Sequence, residues 1–230
     1  MVEKKLMVFA PHPDDETLVC GGTIAKKVLQ GYVAKVAVMT DGSRAFSIVF
    51  GNECELTFQQ VKEIRQKESI RAMEILGIPR KNIIFLDFED QKLGENEKPA
   101  EEIITKMLAN YCPDEIFLPY EKDLHRDHKA TFRIVTSSMG VLGFKKLAYQ
   151  YVNKQKYDLV YSGLDRLRNL WKYNLIREDI SGVLAIKKKA INEYKSQIGL
   201  AFSNQTRPLM LNPERFLKPK ETFLVEKYKL

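Results

Sequence analysis

The sequence predicts an α/β fold with an open, mostly parallel β-sheet and flanking helices. Short apolar runs alternate with longer helical patterns through the first two-thirds of the 230 residues, which is typical of βαβ units. These runs are continuous in Val, Ile, Phe and Leu, as in strands that are buried on both faces. With 44% hydrophobic and 29% charged residues, the composition is that of an ordinary globular protein.

The elements follow in order along the chain. Four continuous apolar runs predict buried central strands, at residues 6–10, 33–40, 83–88 and 115–119. Segments of helical spacing fill the gaps, at residues 16–30, 57–76, 99–111 and 128–142. A fifth strand is expected at residues 147–152. Beyond residue 153 the pattern is less regular, with helices expected at residues 164–176 and 187–198 and a short strand at residues 182–186.

The length and the lack of a linker predict one functional unit, with a βαβ core at residues 1–153 and a part that completes the domain at residues 154–230. The first apolar run is too short for a signal-peptide core or a transmembrane segment. Three cysteines without metal-type spacing suggest free thiols, so a cytoplasmic location is expected. Charge is uneven, because residues 1–140 carry 19 Lys and Arg against 22 Asp and Glu, whereas residues 141–230 carry 18 against 8. This asymmetry suggests either an anionic partner or a solvated lysine-rich surface.

Polar segments follow four of the predicted strands, at residues 11–16, 40–44, 89–90 and 123–128. In an open parallel sheet, ligands bind beyond the carboxyl ends of the strands. All three histidines of the chain lie in two of these segments, namely His12, His125 and His128. A lone histidine is usually structural, and residues 13–16 alone are typical of a helix N-terminus. Together, the histidines and the clustered carboxylates predict a metal site.

A hydrolytic zinc site has three protein ligands and an open position for water, which His12, one aspartate and His128 would supply. Asp14 and Asp15 are adjacent, so their side chains leave the backbone in different directions. One should bind the metal and the other should act as a base. His125 precedes His128 by three residues and could face the substrate. Asp127 could orient one of these two rings.

At these residues the sequence resembles the PIG-L/LmbE family of zinc-dependent de-N-acetylases. Its defining motifs, P-H-P-D-D-E and H-x-D-H, are intact at residues 11–16 and 125–128. The resemblance extends to an R-x-x-E helix at Arg65 and Glu68, and to a Y-x-S-Q element at Tyr194, Ser196 and Gln197. It covers most of the chain and implies a Rossmann-like sheet. The loop after the second strand differs, because members often carry a T-x-G-E-like sequence and residues 40–43 here are T-D-G-S.

Carried onto these positions, the resemblance implies that His12, Asp15 and His128 hold Zn²⁺ and that Asp14 is the general base. It implies that His125 stabilises the oxyanion or protonates the leaving amine, tuned by Asp127. The implied substrate is an N-acetylglucosamine-containing or related N-acetyl amino sugar conjugate. Whether that substrate is anionic stays open, as does assembly into a homo-oligomer.

Three other residues have two interpretations each. Arg65 and Glu68 share a helical stripe with apolar residues, so they either pair with each other or Arg65 reaches the substrate, as its family counterpart does. Asp90 is either a turn residue or, if the resemblance holds, a ligand of a sugar hydroxyl.

Two rival functions remain. Two histidines and a carboxylate are also the ligands of non-haem iron oxygenases. The basic C-terminal part would suit a non-catalytic nucleic-acid-binding module, although no such motif is present and no nucleic acid is expected. Within that part, the cations Arg166, Arg168 and Lys172 of the predicted helix at residues 164–176 lie either on a packed amphipathic helix or beside an anionic part of the substrate.

Overall fold

The computed structural model describes residues 3–144, 146–152 and 172–226. Within these residues seven strands form one sheet: β1 (Lys5–Ala10), β2 (Val33–Thr40), β3 (Ile83–Phe88), β4 (Glu115–Pro119), β5 (Leu147–Tyr151), β6 (Tyr173–Asp179) and β7 (Lys220–Glu226). The helices described are α1 (Asp15–Leu29), α2 (Ala45–Phe50), α3 (Phe58–Ile75), α4 (Glu97–Tyr111), α5 (Arg126–Val141), α6 (Leu184–Ile191) and α7 (Lys195–Ile198). Among the described helices, none has the length and apolar content that a membrane span requires.

The strand order is β3-β2-β1-β4-β5-β7-β6. Strands β1 to β5 are parallel, whereas β7 is antiparallel to both β5 and β6. The predicted open, mostly parallel sheet is therefore confirmed. The chain builds outward from β1 to β3 on one side and then returns to place β4 on the other side of β1. This change of direction creates a crevice at the carboxyl ends of β1 and β4, where ligands bind in folds of this type.

The side chains of β1 alternate between two hydrophobic clusters, one on each face of the sheet. Leu6, Val8 and Ala10 pack with residues of α1, α3 and α6. Met7 and Phe9 pack with residues of α4 and α5. Because both faces are covered, the strand is apolar throughout, which explains why its sequence does not alternate. The rigid centre of the sheet thus leads directly into the first polar segment.

Three predictions of secondary structure are wrong in part. Residues 83–88 form an edge strand, β3, whose residues are mostly half-buried, and not a central one. Residues 182–186 lie in a 3-10 turn and the start of α6, because a short apolar run fits a helix as well as a strand. The predicted helix at residues 187–198 is two helices, α6 and α7, with a break at residues 192–194.

The predicted helix at residues 164–176 lies mostly outside the described residues, including Arg166 and Arg168. Its last four residues, 173–176, belong to β6 and not to a helix. Within β6 buried and less buried residues alternate, as expected when one face of a strand packs on the protein. Lys172, at its start, lies 2.7 Å from Glu121, so it forms an ion pair within the fold.

A buried carboxylate ties α1 to the last strand. Glu221 of β7 accepts hydrogen bonds from the backbone N–H groups of Gly22 and Thr23, at 2.9 and 2.7 Å. The ammonium group of Lys187, on α6, lies 2.6 Å from the same carboxylate. Both charged side chains are buried, so each compensates the charge of the other. Helix α1, which begins inside the polar crevice, is thereby fixed to the C-terminal part of the chain.

Candidate active site

The three histidines lie together at the carboxyl ends of β1 and β4. His12 follows β1 in the turn before α1, while His125 and His128 lie at the start of α5, which follows β4. The ring centroids are 4.6 Å apart for His12 and His125, 5.3 Å for His12 and His128, and 5.2 Å for His125 and His128. The fold therefore brings together the two histidine-containing segments that the sequence singled out.

The carboxylate of Asp15 lies between two of these rings. Its Oδ2 atom is 3.3 Å from Nδ1 of His12 and 3.2 Å from Nε2 of His128. All three residues are buried, with Asp15 only 2% exposed. Two imidazole nitrogens and one carboxylate oxygen thus converge on one point.

The second nitrogen of each of these rings also meets a carboxylate. Nδ1 of His128 lies 3.1 Å from Asp123, and Nε2 of His12 lies 3.2 Å from Asp127 and 3.4 Å from Asp90. A carboxylate on the far nitrogen fixes the ring and its tautomer, and metal-binding histidines are commonly held in this way. The described residues therefore form a candidate metal site in which both rings are also held on their second nitrogen.

The charge balance of the cluster also fits a cation. Burial lowers the pKa of His128, but Asp15 and Asp123 outweigh this effect and raise the pKa to about 9. Burial likewise lowers the pKa of His12, and hydrogen bonds with Asp127, Asp15 and Asp90 raise it well above its usual value. The carboxylates therefore draw positive charge into the cluster. Imidazole nitrogen and carboxylate oxygen are donors that suit a divalent ion such as zinc.

Donor atoms converge in two further groups among the described residues. One consists of His12, His125 and His128, and the other of His12, Asp90 and Asp127. His12 is common to both groups and also contacts Asp15, so it is the central residue of the cluster.

Asp14, next to Asp15 in the chain, has an unusual backbone conformation. Its φ of 120° and ψ of −32° lie in a region that residues with a side chain rarely adopt, and strain of this kind costs about 1–3 kcal/mol. Burial raises the pKa of its carboxyl group to about 7, with Asp15 and Glu16 adding to the increase and Arg65 opposing it. A carboxyl group with such a pKa can accept a proton near neutral pH and release it again.

Arg65 holds Asp14 and does not pair with Glu68. Its guanidinium group donates to the carbonyl oxygens of Gly42 at 2.8 Å and Pro13 at 2.6 Å, and to Oδ2 of Asp14 at 3.1 Å. Glu68, one turn further along α3, instead accepts the backbone N–H and the hydroxyl of Ser196, each at 2.7 Å. The alternative in which Arg65 and Glu68 neutralise each other is therefore wrong.

His125 differs from the other two histidines in its contacts. Its Nδ1 atom accepts the backbone N–H of Asp127 at 3.2 Å, which leaves the proton of the neutral ring on Nε2. Burial lowers the pKa of His125 to about 4, with further lowering from His12 and His128. The ring is therefore neutral near pH 7, and in this tautomer its Nε2 atom can donate a hydrogen bond. The amide Nε2 of Gln91, 3.0 Å away, is itself a donor and cannot accept that hydrogen bond.

We expected Asp127 to orient His125 or His128; its backbone N–H donates to His125, but its carboxylate meets a different ring. Its side chain lies against His12 and accepts backbone N–H groups of Gln91 at 2.8 Å and Leu93 at 3.2 Å. Asp123, and not Asp127, meets the ring of His128. The reason is geometric, because Asp127 lies in the first turn of α5 and points across the crevice toward β1.

A cavity of about 210 Å³ lies over the cluster. His12, Asp14, Asp15, Arg65, Asp90, Gln91, His125 and His128 contribute to its polar wall, and Ala45 and Ile48 of α2 to its apolar wall. Asp90 is only 2% exposed, and besides contacting His12 it accepts the backbone N–H of Arg44 at 3.0 Å. Asp90 thus lies in the turn after β3, as one of the two interpretations predicted, and its buried carboxylate is also part of the cavity wall.

Three residues of the site received no role from the sequence. Asp123 supports His128, Gln91 contacts His125, and Glu16 lies fully buried behind Asp14. Asp123 and Gln91 lie in the segments that follow β4 and β3, so the rule that ligands bind at strand ends could have found them. Glu16 looks like an ordinary acidic residue at the start of a helix, and local sequence gives no signal of its burial.

Comparison with known proteins identifies relatives of this chain. Residues 7–139 match the family model described as PIG-L, GlcNAc-PI de-N-acetylase. A diacetylchitobiose deacetylase from Thermococcus kodakarensis is 30% identical over 206 residues, covering 84% of this chain and 70% of the relative. A probable N-acetyl-alpha-D-glucosaminyl L-malate deacetylase 2 from Bacillus cereus is 32% identical over 143 residues, covering 60% of this chain and 62% of the relative.

Solved structures share the fold. The N,N'-diacetylchitobiose deacetylase from Pyrococcus horikoshii, complexed with an inhibitor, aligns with a TM-score of 0.70 at 23% identity over 96% of this chain and 83% of its own. A 4-carboxy-2-hydroxymuconate hydratase from Pseudomonas putida aligns with a TM-score of 0.67 at 18% identity over 97% of this chain and 96% of its own. At these identities the likeness concerns the fold alone, which two different chemistries share.

Proposed function

Because the chain belongs to the GlcNAc-PI de-N-acetylase (PIG-L) family, we propose that it hydrolyses the acetamide of an N-acetylglucosamine-containing or related N-acetyl amino sugar conjugate. Water adds to the acetyl carbonyl carbon, the C–N bond breaks, and acetate and a free amine are released. One observation carries this proposal. Asp15 joins His12 and His128 at a single point, and Asp14, its neighbour in the chain, faces the same cavity.

His12, Asp15 and His128 would hold a divalent cation, with Zn²⁺ the best match to their donors. When bound, such an ion polarises the amide carbonyl and lowers the pKa of water. The carboxylates of Asp123, Asp127 and Asp90 support the two rings from behind. Their negative charge favours protonated rings in the free protein, and it would equally favour a bound cation that replaces those protons.

Asp14 is the general base of this proposal. Its carboxylate takes a proton from the attacking water and can deliver a proton to the departing nitrogen, which balances the reaction. The hydrogen bond from Arg65 fixes the direction of the carboxylate without removing its second oxygen from the cavity. Support comes from geometry, because Asp14 lines the cavity next to Asp15 and is held there by Arg65.

His125 stabilises the negative charge that develops on the carbonyl oxygen. Its Nδ1 atom is occupied by a backbone N–H, so the neutral ring has its proton on Nε2 and can donate it as a hydrogen bond. Because burial lowers the pKa of His125, this role fits the ring better than protonation of the leaving amine does. Asp127 acts mainly through His12, which it contacts directly.

The polar wall of the cavity suits a carbohydrate better than an extended apolar ligand. Arg65, Asp90 and Gln91 offer both donors and acceptors next to the reacting groups, as sugar hydroxyls require. The deacetylase relatives act, by their names, on N-acetylglucosamine compounds, one neutral and one a malate conjugate. We therefore extend the proposal to conjugates of N-acetylglucosamine, neutral or anionic.

The test is a release assay with the zinc-loaded protein and a panel of such conjugates, with diacetylchitobiose and an N-acetylglucosaminyl malate among them. We expect stoichiometric release of amine and acetate, abolished in Asp14→Asn. Release that required oxygen and iron would favour an oxygenase, and addition of water to an unsaturated acid without amide cleavage would favour a hydratase. Either result would overturn the proposal.

A further inference from the structure

A second carboxylate, Glu16, lies fully buried behind the proposed base. It is 0% exposed, and one of its oxygens accepts the backbone N–H of Asp14 at 3.2 Å. The other oxygen accepts hydroxyl groups from Thr17 at 3.0 Å, Ser69 at 3.2 Å and Tyr194. Among the described residues its hydrogen-bond partners are thus neutral, and no cation forms an ion pair with it. Burial of an unpaired carboxylate is costly, so four donors are needed to hold it.

Tyr194 joins this network from the other end of the chain. Its ring is fully buried, and its hydroxyl contacts both Glu16 and Thr17, 3.1 Å away. Two residues later, Ser196 binds Glu68 on α3, the helix that also carries Ser69. The segment between α6 and α7 is therefore attached at two points behind the N-terminal turn of α1.

The network of hydrogen bonds around Glu16 contacts the peptide group of Asp14, whose backbone conformation is strained. The φ of Asp14 is 120°, and a residue in such a conformation returns to an ordinary one unless its surroundings prevent this. Arg65 donates a hydrogen bond to the carbonyl oxygen of Pro13 at 2.6 Å. Glu16 accepts the backbone N–H of Asp14, so both ends of the peptide group that joins Pro13 to Asp14 are held.

We infer that Glu16 and Tyr194 are positioning residues, which together lock the strained peptide of Asp14 and so direct its carboxylate at the substrate. This inference rests on the proposed function, since it assigns them to the proposed base. Neither side chain contacts the histidine cluster in the described residues, so their effect should be on turnover and not on metal binding.

The experiment compares Tyr194→Phe, Glu16→Gln and the double variant with Tyr111→Phe. Tyr111 is the matched control, because it is also a buried tyrosine whose hydroxyl donates a hydrogen bond, to the carbonyl oxygen of the half-buried Val33 at 2.9 Å, at the opposite end of the sheet. Phe at position 194 removes one oxygen atom and keeps the buried ring. Each variant is measured for kcat, KM, bound zinc and thermal stability.

We expect Tyr194→Phe to lower kcat by about ten- to a hundredfold, with KM and zinc content unchanged, because a small displacement of a reacting group has effects of that size. The double variant should be no slower than the slower single variant, since the two residues act as one unit. Tyr111→Phe should keep the kcat of the wild type. An unchanged kcat in Tyr194→Phe, or a loss that follows zinc content, would overturn the inference.

A crystallographic readout separates this inference from the proposed function. In crystals of Tyr194→Phe and Glu16→Gln we expect the φ of Asp14 to leave the region near 120°, whatever the protein hydrolyses. If the wild type cleaves no conjugate but Asp14 relaxes in the variants, the proposed function fails while the positional coupling stands. If Asp14 keeps its conformation in both variants, the inference fails.

Discussion

Gly42 provides a sharp test of how the site is held. It follows β2 in the T-D-G-S loop and has a φ of +61°, and a Cβ atom there would lie 2.3 Å from Nη1 of Arg65 and 2.8 Å from Cδ of Pro13. Gly42→Ala must therefore displace the guanidinium group that holds Asp14. Gly143 is a matched control, because its φ is +60° and nothing lies within 4 Å of an added Cβ.

The magnitudes follow from these contacts. Both substitutions incur the left-handed backbone strain of about 1–2 kcal/mol. Gly42→Ala also weakens hydrogen bonds from a buried guanidinium group, which contribute about 1.5–3 kcal/mol when one partner is charged. The melting temperature of a chain of this size changes by about 2–4 °C per kcal/mol. We therefore expect Gly42→Ala to unfold roughly 3–12 °C below Gly143→Ala.

The assay pairs thermal unfolding with amine release. Gly42→Ala should lose about tenfold or more of kcat, since Asp14 loses its partner, whereas Gly143→Ala should keep the kcat of the wild type. Equal stability losses in the two variants, together with full activity in Gly42→Ala, would refute the reasoning that Arg65 must occupy this position for Asp14 to function.

Three other predictions test the proposed chemistry. The protein should bind about one divalent ion, and amide hydrolysis should stop when a chelator removes it and return with zinc; full activity in metal-free protein, measured by elemental analysis, would contradict this. Asp15→Ala should weaken zinc binding by about ten- to a hundredfold or more. Asp14→Asn and His125→Ala should keep zinc, and Asp14→Asn should lose about 10²–10⁴ in kcat. The reverse pattern in a zinc titration would exchange the roles of Asp14 and Asp15. The KM for an anionic conjugate should rise with ionic strength and with charge reversal of Arg166 and Arg168. If the KM for a neutral conjugate depended on salt to the same degree, those cations would be ordinary surface charge.

Much of the fold could be predicted because its signals are local. A strand covered on both faces is continuously apolar, so residues 33–40 and 115–119 have in the structure the bounds that the sequence predicted. Residues 83–88 also have the predicted bounds. The position of β3 at the edge of the sheet carries no such signal, since strand order depends on which strands meet in space. The predicted strand at residues 182–186 was wrong for a related reason, because a short apolar run is equally compatible with the start of a helix, here α6.

For the site, too, some features could be predicted from local sequence and others depended on contacts in space. The histidines could be grouped because parallel strands end at one edge, and that rule needs no distances. Which carboxylate meets which ring depends on the direction of each side chain. The carboxylate of Asp127 meets His12, which the spacing did not suggest, and Asp123, which received no role, meets His128. The contact between Glu16 and Tyr194 spans 178 residues, so local pattern could not reveal it.

The place of β7 in the sheet has a consequence for how the chain is made. It inserts beside β5, although about 70 residues separate the two strands in the sequence. At about 5–20 residues per second, the free edge of β5 waits roughly 4–14 s for its neighbour during synthesis. Until then Glu221 cannot bind the middle of α1, whose Gly22 lies 199 residues earlier. The hydrogen bonds that fix α1 to β7 can therefore form only after β7 has been made, and until then the open strand edge is the surface that a nascent chain must keep from aggregating.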